Sequence, residues 1–287
     1  MKKDLRIKVI YIFLIIVIVL SIIYIAKFFL MRQEAIEESE LLNSIEIEEN
    51  SKEVQTEMEG SDVGKENQEE NQAEKQEDKE ENSNRVTERM LKVEKLQEEN
   101  EDIVGWIEIE DTNINYPVLQ GEDNEYYLTH NYKKEKTEKG SIFLSAEYEW
   151  SVPSNNFLIY GHNILYGQMF QDLLKYEEKD FYEAHPIIRF TTEQEDMEFE
   201  IISAFKSRVF YKSEKNVFRY YNFINAQTEA EYMEFINNTK DASLYAIDTT
   251  AEYGDQLITL ITCSYHEKDG RFVVIGRKKD YHRLKIF

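Results

Sequence analysis

One cysteine stands in this 287-residue chain at a place where a nucleophile could be exposed. Cys263 ends the run Gln256-Leu-Ile-Thr-Leu-Ile-Thr-Cys, whose apolar and β-branched residues are typical of a strand. A side chain at a strand end can emerge into a surface groove. The alternative is a structural role, because an unpaired cysteine commonly behaves as a small buried apolar residue.

Two further residues carry the functional groups that a cysteine nucleophile needs. His162 lies in Leu158-Ile-Tyr-Gly-His-Asn, just past another apolar run, and Arg271 opens a strand-like run eight residues after Cys263. A base or cation beside a thiol raises its thiolate fraction, and a cationic donor can stabilise the oxyanion that forms during attack on a carbonyl. These residues therefore predict a nucleophilic cysteine site, provided that the fold brings the strand ends together.

The order of the candidate residues narrows the possible enzyme classes. His162 precedes Cys263 by 101 residues, whereas papain-like enzymes place the cysteine first and caspase-like enzymes separate the two residues by about 50 positions. Four other histidines have no obvious partner beside them, and we expect surface or structural roles for them: His130, His185, His266 and His282.

The elements that must position these residues are mainly short strands. Two helices, Gly167–Tyr176 and Thr228–Asn238 with Thr228 as N-cap, interrupt them, and an amphipathic helix over Val86–Asn100 precedes them. The predicted fold is therefore mainly β, a barrel or sandwich. The strand candidates are Gly105–Glu110, Ile114–Val118, Gly140–Leu144, Asn156–Tyr160, Ile187–Thr192, Met197–Phe205, Gln256–Cys263 and Arg271–Arg277.

Composition excludes several function classes. Asp and Glu total 57 against 34 Lys and Arg, a net charge of −23, which argues against nucleic acid as a partner. A single Cys excludes an internal disulfide and a multi-cysteine zinc or iron–sulfur site. The aromatic fraction of 13% is sufficient for a globular core.

The N-terminal part predicts a membrane anchor. Val9 to Ala26 are 18 uncharged residues, and the apolar run resumes after Lys27 as far as Met31. A span over residues 9–31 is long enough to cross the hydrocarbon core, and it is too long for the apolar region of a cleaved signal peptide, which is the alternative. Basic residues dominate positions 1–8, so the N-terminus is expected in the cytoplasm.

An acidic segment separates this anchor from the strand-rich region. Residues 32–84 are dominated by Glu and contain no aromatic side chain, which predicts an extended, disordered tether, although a solvated helix is an alternative. Residues 85–287 would then form one extracytoplasmic catalytic domain of a single-pass membrane protein.

The ordered motifs of this domain resemble the sortase family of Gram-positive cysteine transpeptidases. The set consists of Tyr160-Gly-His-Asn, Thr259-Leu-Ile-Thr-Cys263 and Arg271-Phe-Val-Val. The resemblance sharpens to class B through three earlier segments, Asn100-Glu-Asp-Ile-Val-Gly-Trp-Ile-Glu-Ile, Ile114-Asn-Tyr-Pro-Val-Leu-Gln and Asp123-Asn-Glu-Tyr-Tyr-Leu.

The resemblance implies a closed β-barrel of about eight strands with N-terminal helices and a helix in the long loop before the cysteine strand. It implies Cys263 as nucleophile, His162 as general acid and base, and Arg271 as the group that stabilises the oxyanion; Arg277 is a second, less favoured arginine. By motif position, the substrate groove would include Asn124, Leu128, Tyr160, Ile261 and Thr262. No metal or organic cofactor is required.

The implied reaction cleaves a C-terminal sorting signal, NPQTN-like or (S/N)PxTG-like, after Thr and joins the secreted protein to a peptidoglycan amine. Two departures bear on substrate preference: Ile261 stands where class B members often have Ser, and Ser145 stands where Asp is typical. Three alternatives remain open at this point: a pilin-polymerising sortase, a hydrolytic membrane-tethered cysteine endopeptidase and a non-catalytic surface binding module.

Overall fold

The computed structural model describes residues 12–26, 29, 88–152, 154–165 and 167–280. The chain divides into two compact units, Met1–Glu46 and Ile47–Phe287. In the first unit, residues 12–26 form helix α1, whose apolar side chains are exposed. Within the described ranges, no helix combines the length and the apolar character needed to cross a membrane. The predicted segments 1–8 and 32–84 lie outside the described residues, as do seven of the 23 residues of the predicted anchor 9–31.

Short strands dominate the second unit, together with a few helices. Helix α2 covers residues 88–99, α3 covers Lys179–Ala184 and α4 covers Glu229–Ala242. Short 3₁₀ helices occupy Tyr126–Leu128, Gln171–Glu177 and Tyr220–Asn222. The strands are β1 Ile103–Glu108, β2 Asn115–Leu119, β3 Ile142–Leu144, β4 Asn156–Tyr160, β5 Asn163–Ile164, β6 Gln168–Met169, β7 Ile187–Thr191, β8 Asp196–Arg208, β9 Leu257–Cys263 and β10 Gly270–Lys278.

Eight of these strands close into a barrel in the order β1-β2-β3-β4-β9-β10-β8-β7, and β5 pairs with β6 in a separate hairpin. Two neighbouring pairs are parallel, β2 with β3 and β4 with β9, and the other barrel pairs are antiparallel. The predicted closed barrel of about eight strands is confirmed.

Alternation along the strands separates two apolar clusters. The larger cluster takes buried side chains from all eight barrel strands, for example Ile258 and Leu260 of β9, so it fills the barrel interior. The smaller cluster takes the opposite face of β9, including Leu257 and Ile261, together with Phe235 of α4. Helix α4 and the segment before it therefore cover one outer side of the barrel.

The predicted helix over Thr228–Asn238 is confirmed as α4. Thr228 caps it as expected, because its side-chain oxygen accepts a hydrogen bond from the backbone N–H of Glu231 at 3.2 Å. The Glu231 carboxylate in turn accepts from the backbone N–H of Gln227 at 2.7 Å. Buried Tyr232, Phe235 and Ile236 form the face that packs on the barrel.

The predicted helix over Gly167–Tyr176 is wrong in type and extent. Gly167 and Met169 both have positive φ, 78° and 54°, which interrupts an α-helix and permits the short strand β6. Only Gln171–Glu177 is helical, and as a 3₁₀ helix. The hairpin β5–β6 and helix α3 had no counterpart among the predicted elements.

Candidate active site

The parallel pairing of β4 with β9 brings His162 beside Cys263. Tyr160 at the end of β4 pairs with Ile261, so both strands run toward the same end of the barrel. Just beyond, the backbone N–H of Gly161 donates to the Ile261 carbonyl oxygen at 3.1 Å. The side-chain amide of Asn163 donates to the Cys263 carbonyl oxygen at 2.9 Å. These bonds hold the chain on both sides of His162 against the end of β9.

Arg271 reaches the same place through the antiparallel pairing of β9 with β10. It is the cross-strand partner of Cys263, so the two side chains project from the same face of the sheet. That face is also the one that carries Ile261. The guanidinium donates to the backbone carbonyls of Asp269 and Gly270, and among the described residues no carboxylate forms an ion pair with it.

The electrostatics of the site shift both the Cys263 thiol and the His162 imidazole toward their charged forms. The pKa of the Cys263 thiol is lowered, mainly by hydrogen bonding with His162 and further by the charge of Arg271, while burial opposes the shift. The pKa of His162 is raised, mainly by the same interaction with Cys263, and the Leu128 carbonyl adds to it. Burial and the charge of Arg271 oppose this rise. Proton transfer from Cys263 to His162 is therefore easier than between the isolated side chains.

The second ring nitrogen of His162 has a fixed partner. Nε2 lies 2.8 Å from the backbone carbonyl oxygen of Leu128, which ends a 3₁₀ helix. The preceding residue, Tyr127, is buried and donates its hydroxyl to Asp102 at 2.6 Å. Gly140, with φ of +60°, leaves room for this segment, since a Cβ there would lie 2.6 Å from both the Tyr127 and Leu128 carbonyl oxygens.

A groove of about 280 Å³ contains all eight residues that the sequence singled out as catalytic or substrate-binding. His162, Cys263 and Arg271 are each partly exposed to it. Five other residues that were not predicted also line it: Phe143, Gly161, Val209, Tyr220 and Tyr221. The spacing of chemical groups gives no signal for these five, although Gly161 lies within the motif around His162.

Asn124 is held rigidly at the wall of this groove. Its Oδ1 accepts from the backbone N–H of Ala146 and its Nδ2 donates to the carboxylate of Glu147, both at 2.8 Å. Ser145 donates its hydroxyl to the same carboxylate. The bonds from Ser145 and Asn124 lower the pKa of Glu147, so it remains ionised. Ser145 stands where the class B resemblance makes Asp typical. In this chain the carboxylate beside that position belongs to Glu147, two residues further along.

The structure also shows the surroundings of three of the four histidines for which we expected surface or structural roles. His130 stacks on Tyr126 and His185 on Phe181, whereas His266 contacts Ser264 and Glu267. None of these three lines the groove. His282 lies outside the described residues. Within the described parts of the chain, no group of three His, Cys, Asp or Glu side chains could hold a metal ion.

Arg277 differs from Arg271 in its surroundings. It is the cross-strand partner of Leu257, at the other end of β9, and its guanidinium is hydrogen-bonded to Glu200. Only Arg271 lines the groove. The structure thus places Arg271 at the groove and Arg277 away from it, and the role of Arg271 stays a prediction.

Comparison with known proteins assigns a family to this chain. The sortase domain family matches residues 107–279. Sortase B of Listeria monocytogenes is 38% identical over 185 residues, which cover 63% of this chain and 72% of that protein. Sortase B of Staphylococcus aureus is 34% identical over 186 residues, covering 64% and 73%.

Solved structures agree with this assignment. The Staphylococcus aureus sortase B–substrate complex superposes with a TM-score of 0.59 at 30% identity, covering 72% of this chain and 99% of that one. Clostridium perfringens sortase B gives a TM-score of 0.58 at 30% identity, covering 65% and 99%. The family match over residues 107–279 includes the segments that carry His162, Cys263 and Arg271. The chain therefore belongs to the sortase family of cysteine transpeptidases, with sortase B enzymes among its relatives.

Proposed function

We propose that this protein is a membrane-anchored transpeptidase that cleaves a C-terminal sorting signal after Thr and joins the released protein to an amine of the cell-wall peptidoglycan. The observation that carries the proposal is the convergence of Cys263, His162 and Arg271 at one groove, from three separate strand ends. The sorting signal would be NPQTN-like or (S/N)PxTG-like, as the class B resemblance implies.

In the first step, the Cys263 thiolate attacks the carbonyl carbon of the Thr, and the carbonyl oxygen becomes an oxyanion. Arg271 is suited to stabilise this oxyanion because its guanidinium has no carboxylate partner among the described residues. The peptide C–N bond breaks as the His162 imidazolium gives its proton to the leaving amine. A thioester between Cys263 and the Thr carbonyl remains.

In the second step, an amine of the peptidoglycan attacks the thioester carbonyl. His162 accepts the proton that the amine loses, and the C–S bond breaks to restore the Cys263 thiolate. Because Nε2 of His162 faces the Leu128 carbonyl, Nδ1 is the nitrogen that exchanges protons with the substrate in both steps.

The remaining groove residues would bind the signal peptide. Asn124, Leu128, Tyr160 and Ile261 would contact its side chains and backbone. Thr262 would flank the oxyanion site beside Arg271, as the class B resemblance implies.

The N-terminal segment would place this reaction outside the cell membrane. The uncharged run from Val9 to Ala26 supports a span over residues 9–31, and the basic residues before it support a cytoplasmic N-terminus. The acidic segment 32–84 would hold the catalytic domain off the membrane, near the wall. Alkaline extraction of membranes tests this, since a spanning chain stays in the pellet and a peripheral one is released.

The catalytic proposal is tested with the purified chain, both kinds of signal peptide, and an added diaminopimelate-type or glycine-type amine. Mass spectrometry should detect an amine adduct of the peptide cleaved after Thr, and Cys263→Ala should abolish it. Release of free acid alone would favour a hydrolytic endopeptidase, and an adduct formed only with a pilin lysine would favour pilin polymerisation. A folded protein that cleaves no peptide and forms no acyl-enzyme would favour a binding module.

A further inference from the structure

The groove contains a buried hydroxyl that the reaction described above does not use. Tyr220 lies in the 3₁₀ helix between β8 and α4, and it lines the groove together with Cys263 and Arg271. Its side chain is 0% exposed. The hydroxyl of Tyr220 has no hydrogen-bond partner among the described residues.

An unpaired buried hydroxyl destabilises a folded protein, and most buried hydroxyls have a partner. Tyr232 provides the contrast in this chain, because it is equally buried but donates its hydroxyl to the Asp255 carbonyl at 2.8 Å. The ring of Tyr220 is packed edge-on against Phe205 and Phe218, so phenylalanine would serve the packing as well. Among the described residues, the Tyr220 hydroxyl therefore contributes no hydrogen bond to the folded protein. This indicates that its hydrogen-bond partner is a molecule that binds in the groove.

The chemistry of the hydroxyl limits what that partner can be. Burial raises the pKa of Tyr220 well above its ordinary value, although the charge of Arg271 opposes the rise. The phenol therefore stays protonated and can donate a hydrogen bond. A donor beside a guanidinium suits an oxygen acceptor, and the groove is otherwise mostly apolar, as expected for a peptide site.

We propose that Tyr220 is a substrate-binding residue whose hydroxyl donates a hydrogen bond to a carbonyl oxygen of the peptide bound in the groove. This inference rests on the proposed function, since the peptide is the sorting signal. Residues 209–228, which include the groove-lining Val209, Tyr220 and Tyr221, contain no helix or strand other than the 3₁₀ turn with Tyr220. The bond forms with the bound substrate and persists in the transition state.

The substitution Tyr220→Phe tests this inference because it removes only the hydroxyl. We expect kcat/KM for the signal peptide to fall about tenfold, mainly through a higher KM, since one hydrogen bond to substrate is lost. The melting temperature should stay the same or rise, because no bond of the free protein is broken. The measurements use the full chain in detergent, with steady-state kinetics and thermal unfolding.

Tyr232→Phe is the matched control. It removes a buried hydroxyl that has a partner within the protein. Tyr232 lies in the first turn of α4 and does not line the groove, so the melting temperature should fall while kcat/KM stays unchanged. Unchanged kinetics in Tyr220→Phe would overturn the inference. A lower melting temperature of Tyr220→Phe would also overturn the inference, whether or not turnover occurs. If the wild-type chain shows no Cys263-dependent turnover, that result contradicts the proposed function instead.

Discussion

The Nε2 atom of His162 lies 2.8 Å from the carbonyl oxygen of Leu128, on a segment 34 residues earlier in the chain. A carbonyl oxygen only accepts hydrogen bonds, so Nε2 must carry the proton in this contact. When His162 is neutral, Nδ1 is therefore the unprotonated nitrogen. The Leu128 carbonyl thus selects the tautomer with which the histidine can act as a base toward the thiol or an amine.

This contact predicts the tautomer of His162 in the resting protein. Above the raised pKa of His162, we expect the Nε2–H form, because the contact with the Leu128 carbonyl oxygen requires a donor at Nε2. Nitrogen-15 chemical shifts of labelled histidine distinguish the two tautomers, with His162→Gln identifying the resonance. A resonance of the Nδ1–H type would contradict the assignment.

The coupled pKa shifts predict how Cys263 responds to pH. Because the His162 interaction is the largest cause that lowers the thiol pKa, His162→Ala should move the midpoint of the alkylation rate to higher pH. Removing Cys263 should conversely lower the pKa of His162. The chain has a single Cys, so mass spectrometry of the iodoacetamide adduct reports on Cys263 alone. An unshifted midpoint in His162→Ala would refute this coupling.

The two arginines of β10 give a direct comparison. Arg271→Ala should reduce kcat/KM at least a hundredfold, because the oxyanion loses its cationic donor. Arg277→Ala should leave kcat/KM close to that of the wild type, although it breaks the ion pair with Glu200 and should lower the melting temperature modestly. Equal kinetic losses in both variants would indicate that the arginines act through the fold rather than on the substrate.

A substitution at Gly140 should disturb His162 indirectly, through the Leu128 carbonyl that contacts it. A methyl group there, at φ of +60°, would collide with the Leu128 carbonyl oxygen at 2.6 Å and displace the acceptor of His162. We expect Gly140→Ala to lose about 1–2 kcal/mol of stability and more than tenfold in kcat. Gly254→Ala is the matched control, because φ is +99° but no atom lies within 4 Å of the added Cβ. It should share the stability loss, measured by urea unfolding, and keep its activity.

The bonds around Asn124 predict a role for Glu147 in substrate affinity. Glu147→Ala removes the acceptor that orients the Asn124 amide, so we expect KM to rise several-fold with little change in kcat. Glu147→Gln can still accept that bond and should have a smaller effect. Glu149→Ala removes a neighbouring exposed charge and serves as the control. A rise in KM of the same size in Glu149→Ala would indicate a general charge effect.

Much of the barrel could be predicted because its strands have strong local patterns. The run before Cys263 is continuous and β-branched, and β4 was predicted at its observed bounds, Asn156–Tyr160. Strands of two residues, such as β5 and β6, carry too little pattern to predict. The mistaken helix over Gly167–Tyr176 arose because apolar spacing there is helical, while the backbone at Met169 is left-handed in the folded chain.

The residues of the candidate site that lie in ordered motifs could be predicted from the sequence. Those that reach the site only through tertiary contacts could not. His162, Cys263 and Arg271 follow strand ends, so their spacing carries a signal. The Leu128 carbonyl that holds His162 is a backbone group, which has no sequence signature. Tyr220 is one of 19 tyrosines, and only its buried, unpaired hydroxyl distinguishes it.

The parallel neighbours β4 and β9 also determine when the thiol becomes reactive. A parallel pair cannot be joined by a tight turn, and here the crossover runs from Tyr160 to Leu257, through four intervening strands and two helices. Without this pairing, His162 is not held beside Cys263, and the thiol lacks the interaction that lowers its pKa in the folded chain. The pairing of β4 with β9 therefore couples the reactivity of the thiol to the folded barrel.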